Sequence, residues 1–280
     1  MLSVTHSKFE EEIQHELLMR FESFQEYQTL MLNVLCDFHK VCEKHKIQYF
    51  LAYGSLLGAI RDKGQIPWDY DIDTWVRFED KERLFNALEK DLSKDYYFVC
   101  RYYDNTTYHR ILRISPKGYS SEVLHVDVFW LSGASCSPLK NQKNLKTLAK
   151  IRKINLYKYC DPRFVVYKQG RLVQLYNKAR TFLCKLIPDV LLNSIYDNLA
   201  SVSVTQSEMV HDSDSLYVES KWFAQSELIT FANGMQFCVP KEYDKLLTSL
   251  YGDYKCYLPI ANRMEEFLHS LNRIELLGKI

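Results

Sequence analysis

Three aspartates follow one another at two-residue spacing: Asp69, Asp71 and Asp73. Side chains alternate along a β-strand, so these carboxylates share one face if the strand begins as early as Asp69. Three carboxylates at this spacing repel one another, and a cation between them removes the repulsion. Hard oxygen ligands suit Mg²⁺, with Mn²⁺ as the alternative. The pattern therefore predicts a divalent-metal site.

Alternating acids also occur in two settings that do not involve catalysis. When such acids stand alone, they most often form a solvated strand edge. A calcium loop of the EF-hand type also opens with three alternating acids. That loop needs glycine at its sixth position and glutamate at its twelfth, where this chain has Thr74 and Asp80. The calcium loop is therefore disfavoured, and the flanking residues favour chemistry over a solvated edge.

A fourth acid, Asp127, lies in the apolar run His125–Leu131. An aspartate in a buried strand is costly unless it meets a partner, and the predicted partner is the same metal site. His125 shares the strand face of Asp127. We interpret it as a hydrogen-bonded polar residue near the site rather than as a metal ligand.

Gly54 and Ser55 follow a short apolar strand and open a helical turn. Glycine allows a backbone to approach an oxyanion closely, and the N-terminal amides of a helix favour phosphate. An ordinary strand-to-helix turn accounts for this pair when it stands alone. Together with an acidic strand some fifteen residues later, the pair is typical of a nucleotidyltransferase-type site.

The elements that must position these residues follow from hydrophobic periodicity. Apolar residues at three- and four-residue spacing predict a long helix over 8–46. The predicted strands are 47–53, 71–78, 96–103, 107–114, 123–131 and short pieces within 223–239. The other predicted helices are 55–61, one around Leu84–Leu92, 138–199, 240–251 and 261–277. This is an α+β plan with a mixed sheet early in the chain. We expect a catalytic core with its leading helix over 1–135, and a mostly helical extension over 136–280 that packs on the core and completes the site.

Composition excludes several classes of protein. The 280 residues include 36 Lys+Arg and 35 Asp+Glu, a formal net charge of +1, which gives no electrostatic reason to expect a nucleic-acid partner. The eight cysteines contain no CxxC pair, so buried free thiols are expected rather than a zinc site or disulfides. No signal peptide is recognisable, and no apolar stretch reaches the ~20 residues of a membrane span, so we expect a cytoplasmic protein. The lysine-rich run at 140–153 fits a solvated helix face or contact with an anionic membrane.

Two long segments, Tyr49–Arg61 and Ile66–Asp73, resemble the signature of the LicD family. The upstream Cys42–Lys46 and the distal Tyr251–Tyr254 resemble it as well, so the similarity covers roughly residues 25–275. The family includes bacterial phosphocholine transferases and the fukutin-related polyol-phosphate transferases of animals. The resemblance implies a nucleotidyltransferase-like fold with an N-terminal helix and helical C-terminal additions.

The resemblance also implies an activity. The expected reaction is Mg²⁺-dependent transfer of phosphocholine from CDP-choline to a hydroxyl of a cell-surface glycan, free or lipid-linked. Transfer of another CDP-linked group, such as ribitol phosphate, or of a nucleotidyl group stays open, as does a catalytically silent binding protein of the same fold. Neither nucleic acid nor a transmembrane segment is implied. Peripheral contact at the inner face of the membrane is compatible with a lipid-linked acceptor.

The carboxylates receive roles from the same resemblance. Asp71 and Asp73 would hold Mg²⁺ on the donor diphosphate. Asp127 would complete the metal site or accept the proton of the acceptor hydroxyl. Asp69 would be a further catalytic acid, either beside the ligands or on a second metal.

The substrate-binding residues are drawn from the strand–helix turn and from two basic positions. Gly54 and Ser55 would cradle phosphate, and Arg61 would neutralise the charge of the leaving group. Arg110 and Arg113 lie three residues apart in a strand-like run and so point to opposite faces. At most one of them faces the site, and we favour Arg113.

Overall fold

A computed structural model describes residues 3–104, 107–121, 124–159, 171–213, 215–259, 262–263 and 265–268. Its helices and strands over these residues are, in chain order, α1 (Ser3–His45), β1 (Tyr49–Leu51), α2 (Tyr53–Arg61), β2 (Ile72–Arg77), α3 (Lys81–Asp91), β3 (Tyr96–Val99), β4 (Leu112–Pro116), β5 (Val126–Ala134), α4 (Pro138–Tyr159), α5 (Arg171–Lys185), α6 (Asp189–Ala200), β6 (Met209–His211), β7 (Tyr217–Glu219), β8 (Ser226–Thr230), β9 (Gln236–Pro240) and α7 (Tyr243–Tyr251).

The central sheet has the strand order β1-β2-β5-β4-β3. Strand β2 pairs with β5 in parallel, whereas β1 on β2, β4 on β5 and β3 on β4 are antiparallel. Strand β6 pairs with the C-terminal end of β5 and with β7, both antiparallel. Strands β8 and β9 form a separate antiparallel hairpin. A mixed sheet with helices packed on it is the predicted α+β fold of the nucleotidyltransferase type.

The parallel pair β2–β5 is the part of the sheet that positions chemistry. In its register Asp73 lies opposite Asp127. Neighbouring residues in register point to the same face of a sheet, so these two side chains lie side by side. One strand pairing thus brings together two acids that are far apart in the sequence.

Helix α1 confirms the helix predicted from residue 8 onward and begins earlier, at Ser3. Its apolar stripe is buried against the sheet, where Val34, Leu35 and Phe38 are at most 1% exposed. Each such side chain contributes about 1.5–3 kcal/mol relative to an exposed position. The helix also fixes a loop, because the Gln28 side-chain amide donates hydrogen bonds to the carbonyl oxygens of Ile66 (2.9 Å) and Asp69 (2.8 Å).

The strand-to-helix turn is tighter than the sequence suggests. Strand β1 ends at Leu51, and α2 begins at Tyr53, two residues before the predicted start. Tyr53 has φ 44°, the left-handed region that non-glycine residues rarely adopt. The backbone N–H of Ala52 donates to the carbonyl oxygen of Asp73 (2.9 Å), which ties this turn to strand β2.

The expectation that three aspartates share one strand face is wrong. Strand β2 begins at Ile72, so Asp69 and Asp71 lie in the loop before it. The reason is a turn at Asp69, whose N–H donates to the carbonyl oxygen of Ile66 (3.0 Å) and so cannot join a strand ladder. The acids therefore reach one another through the folding of a loop, and not through strand alternation.

The second half of the chain holds both predicted and unpredicted elements. Helices α4, α5 and α6 account for the predicted helical tract, apart from residues 160–170, which lie outside the described residues. Of the last predicted helix, residues 262–263 and 265–268 are described and are helical, and the rest of 261–277 lies outside them. Strands β6 and β7 were not predicted. The division of the chain at residue 135 stays a prediction.

The described cysteines are free thiols, as expected, and Cys160 lies outside the described residues. Cys42, Cys100 and Cys184 are buried, whereas Cys136 and Cys256 are exposed. Over the part of the chain that the structure describes, no helix is long and apolar enough to cross a membrane.

Helix α2 packs against the acidic loop through Gly58. A Cβ at Gly58 would lie 2.6 Å from the carbonyl oxygen of Gly64 and 2.9 Å from the backbone nitrogen of Ile66. Because both contacts are backbone atoms, a side chain at this position has to push the loop away from the helix. The loop that carries Asp69 therefore depends on a glycine in the middle of α2.

We expect Gly58→Ala to lower the melting temperature and the catalytic rate together. Overpacking lowers the free energy of unfolding by about 1–3 kcal/mol. The better helix propensity of alanine raises the same free energy by at most about 1 kcal/mol, so the net change is a loss of stability. Gly64→Ala is the matched control, because nothing lies within 4 Å of its Cβ position. Thermal unfolding and a turnover assay of both variants check this. Equal behaviour of the two variants would show that the loop does not rest on α2 in the way described.

Candidate active site

The start of α2 and the start of β2 are joined at the site. The Ser55 hydroxyl oxygen accepts a hydrogen bond from the backbone N–H of Asp73 (2.9 Å). Together with the Ala52 contact, this fixes the first turn of α2 beside the acidic strand. The Gly54–Ser55 turn and the acids, predicted to act together, therefore lie in contact.

Gly54 lies directly against the carboxylate of Asp69. A Cβ built at Gly54 would overlap Oδ2 of Asp69. The absence of a side chain brings the backbone of the helix start within touching distance of a carboxylate. A group bound between them would meet both a helix N-terminus and the acidic loop.

The acids of the loop and strand raise one another's pKa. Burial, then the charge of Asp71 and a hydrogen bond with it, raise the pKa of Asp69 well above its ordinary value. Burial also raises the pKa of Asp73 well above its ordinary value, and the charges of Asp71, Asp127 and Asp69 add to this effect. These four carboxylates are thus close enough to oppose each other's ionisation.

The chemistry of this cluster fits a hard divalent cation. Crowded carboxylate oxygens are the ligands that Mg²⁺ and Mn²⁺ prefer, and a cation would relieve the repulsion that raises the pKa of Asp73. Within the described residues, no group of three or more His, Cys, Asp or Glu side chains is already arranged around a common metal position.

Asp127 has protein partners. Nε of Arg113 donates to its Oδ1 (3.0 Å), and Nε2 of His125 lies 3.4 Å from its Oδ2. Burial alone would raise the pKa of Asp127, but His125 and Arg113 outweigh it and lower the pKa to about 2. Arg113 and His125 thus compensate the buried carboxylate of Asp127, so it has partners other than a metal, and its place in a metal site stays a prediction.

The two arginines point in different directions, as predicted, but Arg110 precedes strand β4, so strand alternation is not the reason. Arg113 meets Asp127 and also His109, whose Nε2 lies 2.9 Å from its Nη1. Arg110 points towards α6, where it donates to Oδ1 of Asn193 (2.6 Å) and stacks over the Tyr196 ring at 4.2 Å. The structure brings Arg113, and not Arg110, to the acids.

Arg61 is engaged by its own neighbourhood. Its guanidinium pairs with Asp62 (Nη2 to Oδ2, 2.9 Å) and lies 4.4 Å from the ring centroid of Tyr257. The Tyr257 hydroxyl in turn donates to Asp62 (2.6 Å). Arg61 thus reaches the wall of the site in a fixed position, with its charge already balanced.

A cavity of about 770 Å³ opens beside these residues. It is lined by residues of the two predicted motifs and of the distal segment: Gly54, Leu57, Arg61, Ile66, Trp68, Asp69, Tyr70, Tyr251, Asp253, Tyr254, Cys256, Leu258, Asn262, Glu265 and Glu266. The volume suits a nucleotide-sized ligand. Both aromatic rings and carboxylates line the cavity.

Tyr251 was not predicted as a site residue. Burial, followed by the charges of Asp73, Asp69 and Asp71, raises the pKa of its hydroxyl well above the ordinary value. Its hydroxyl therefore lies in the field of the acidic cluster. The signal in the sequence was the distal segment Tyr251–Tyr254, which carries the family resemblance without indicating a role.

Asp212 was also missed, and no sequence pattern marks it. It is 1% exposed and accepts hydrogen bonds from the Tyr53 hydroxyl, from Nε1 of Trp75 (2.9 Å) and from the N–H of Leu216 (3.3 Å). Through Tyr53 it holds the residue that opens α2. Asp212 thus positions the Gly54–Ser55 turn through Tyr53, and its charge contributes to the raised pKa of Asp73.

Comparisons with known proteins agree with this geometry. Residues 46–142 match the family model described as LicD/FKTN/FKRP, nucleotidyltransferase domain. The chain is 26% identical to the lipopolysaccharide cholinephosphotransferase LicD of Haemophilus influenzae over 84% of this chain and 92% of that protein. It is 37% identical to an uncharacterised protein of Rickettsia prowazekii over 21% of this chain and 22% of that protein.

Replacing Asp73 and replacing Asp127 should shift stability in opposite directions. The folded-state pKa of Asp73 is raised, so its ionisation costs stability as the pH rises above the ordinary value of 3.8. We expect Asp73→Asn to raise the melting temperature at pH 7 and to have a smaller effect near pH 4.

Asp127→Asn should lower the melting temperature at pH 7. The folded-state pKa of Asp127 is depressed to about 2, so its contribution is present above pH 4 and is lost as the pH falls towards 2. Removing it leaves Arg113 buried without its carboxylate, at a cost of about 3–5 kcal/mol. Thermal unfolding of both variants between pH 3 and pH 8 is the measurement, and shifts of the same sign would contradict this account of the cluster.

Proposed function

We propose that this chain, whose residues 46–142 form a LicD-family nucleotidyltransferase domain, transfers phosphocholine from CDP-choline to a hydroxyl of a cell-surface glycan. The observation that carries the proposal is the meeting of an acidic cluster, a glycine-opened helix start and an aromatic cavity at one place. The cholinephosphotransferase relative, aligned over 92% of its length, supports the choice of cargo.

In this reaction the oxygen of the acceptor hydroxyl attacks the phosphorus that carries choline. A new P–O bond forms to the glycan, the P–O bond to the cytidine phosphate breaks, and CMP leaves. Phosphoryl transfer of this kind depends mainly on positioning and on neutralising negative charge. The helix start at Gly54–Ser55 supplies backbone N–H groups for the phosphates.

Asp71 and Asp73 are the carboxylates that would hold Mg²⁺, with Mn²⁺ as a substitute and Asp127 at the edge of the set. When bound, the ion offsets the charge of the donor diphosphate. The mutual repulsion that raises the pKa of Asp73 is the physical reason for expecting a cation there. Asp127, already paired with Arg113, balances charge at the base of the site.

The proton of the acceptor hydroxyl needs a base. A carboxylate with a pKa of about 2, as for Asp127, is a weak general base at neutral pH. Asp69 has a raised pKa and lies on the cavity wall beside Gly54. We therefore assign proton acceptance to Asp69 and charge balance to Asp127.

The aromatic wall supports a cationic headgroup. The guanidinium of Arg61 lies 6.0 Å from the Trp68 ring centroid, and that of Arg263 lies 5.4 Å from it. Glu266 accepts a hydrogen bond from Nε1 of Trp68 (3.0 Å), which adds negative charge to the same wall. Aromatic rings with a carboxylate beside them suit a trimethylammonium group better than an uncharged polyol.

The acceptor we propose is a glycan, free or carried on a lipid, modified in the cytoplasm at the inner face of the membrane. A transferase of ribitol phosphate or of a nucleotidyl group would use the same acids with a different cargo. A silent binding protein would keep the cavity without turnover. The crowded acids, which cost stability unless they serve a ligand, argue for the enzyme.

The decisive assay is release of CMP from CDP-choline in the presence of Mg²⁺ and a glycan acceptor. We expect activity that is lost on chelation and restored by Mg²⁺ or Mn²⁺. Asp73→Asn should abolish the response to metal, measured by calorimetric titration with Mn²⁺. CMP release from CDP-ribitol but not from CDP-choline would identify ribitol phosphate as the transferred group. If no CDP-linked donor released CMP, the chain would be a binding protein of the same fold and not a transferase.

Asp69→Asn should lower kcat by about 10²–10⁴-fold with little change in KM for CDP-choline, because it removes a proton acceptor without removing the predicted metal ligands. Asp95→Asn is the matched control, an exposed carboxylate changed in the same way. Steady-state kinetics with the donor varied separate the two parameters. An unchanged kcat in Asp69→Asn would move the base to another residue.

A further inference from the structure

Helices α5 and α6 carry an apolar patch that the proposed reaction does not use. Six of its side chains are each more than half exposed: Leu175, Phe182, Leu183, Leu186, Val190 and Leu191. Val190, at 81% exposure, is the extreme case. Within the ranges that the structure describes, no other element covers these side chains. Contiguous exposed apolar residues of this size on a water-facing surface mark an interaction site.

Helix α6 is apolar on two faces. Leu192, Tyr196 and Ala200 are buried against the rest of the fold. Val190 and Leu191, on the same helix, face outward. A surface helix ordinarily presents polar residues on its outer face, and exposed apolar residues at the start of α6 therefore need a second apolar environment.

The charge of the chain is strongly segregated around this patch. Residues 138–188 contain 13 lysines and arginines and a single aspartate, a net charge of +12. The other residues therefore carry −11, since the whole chain has +1. The near-neutral total hides a basic region that coincides with α4 and α5.

The basic side chains are available at the surface. The lysines of α4 at 140, 143, 146, 150 and 153 are exposed, as are Lys178 and Lys185 on α5. Helix α4 packs on α5, where the Arg180 guanidinium lies 3.6 Å from the Tyr157 ring centroid. The lysine-rich helix and the helix that carries the apolar patch thus form one unit.

We propose that helices α4–α6 dock this protein on an anionic lipid surface. Exposed apolar side chains beside a dense positive charge are the two components of interfacial membrane binding, one entering the acyl boundary and the other attracted to anionic headgroups. Residues 138–200, which span these three helices, carry a net charge of +10, and this favours a lipid surface over a neutral protein partner, because charge complementarity requires a negatively charged occupant. The reaction would then take place where a lipid-linked acceptor is held.

Flotation of the full chain with vesicles tests the proposal without substrate, so its outcome is independent of the proposed transfer reaction. Vesicles of phosphatidylcholine and phosphatidylglycerol in equal parts should carry the protein at low salt, and vesicles of phosphatidylcholine alone should carry much less. Raising the salt concentration should weaken binding, because the attraction falls off within a Debye length. Lys143→Glu with Lys150→Glu should weaken binding by about fivefold or more for each lysine.

The double variant Leu186→Asp with Val190→Asp tests the contribution of the apolar patch. It should lower partitioning of the protein into the anionic vesicles by about tenfold or more. Leu228→Asp on β8 is the matched control, a leucine that is 50% exposed outside the patch, and it should bind as the wild type does. Because all three positions are exposed, the variants should keep the wild-type melting temperature. Equal binding to neutral and anionic vesicles, or no binding to either, would overturn the proposal. A dimer seen by sedimentation velocity that Leu186→Asp with Val190→Asp dissolves, without vesicle binding, would overturn it in favour of self-association.

Discussion

Mutual repulsion of buried carboxylates is the constraint on which the site of this protein depends. Asp69, Asp71, Asp73 and Asp127 approach one another closely enough that the pKa values of Asp69 and Asp73 rise well above the ordinary range. Such crowding does not arise from packing alone, because charged groups leave water only at a cost. The surrounding structure must therefore force the acids together, and most of the contacts described for the site serve this end.

Three separate devices enforce the crowding. The parallel pairing of β2 and β5 sets Asp73 beside Asp127. Gln28 on α1 holds the loop that carries Asp69, and the hydrogens of Gly54 and Gly58 let that loop lie against α2. Arg113 compensates the charge of Asp127, and the proposed cation would compensate that of the other acids. Stability is given up here for binding, as is common at functional sites.

Much of this arrangement follows from the sequence, and the failures have physical causes. The α+β plan, the helix start at Gly54–Ser55 and the direction of Arg113 could be predicted, because periodicity and strand alternation are local properties. The actual placement of Asp69 and Asp71 in a loop could not be predicted, because a turn at Asp69 interrupts the strand alternation on which the prediction rested. The partners of Asp127 were missed since Arg113 reaches it across a strand pairing whose register no local pattern specifies. The role of Asp212 could not be predicted either, because its partner Tyr53 is 159 positions away in the sequence and no local pattern links the two.

The hydrogen bonds of Asp212 give the site a particular order of assembly. They join Asp212 to Tyr53 and Trp75, partners separated from it by 159 and 137 positions. The segment that matches the family ends at residue 142, so the residue that fixes its helix start is synthesised long after it. Contacts of such range form late in folding. The start of α2 is therefore anchored only after the distal strands are made, although the residues that bring the acids together all lie within 28–127.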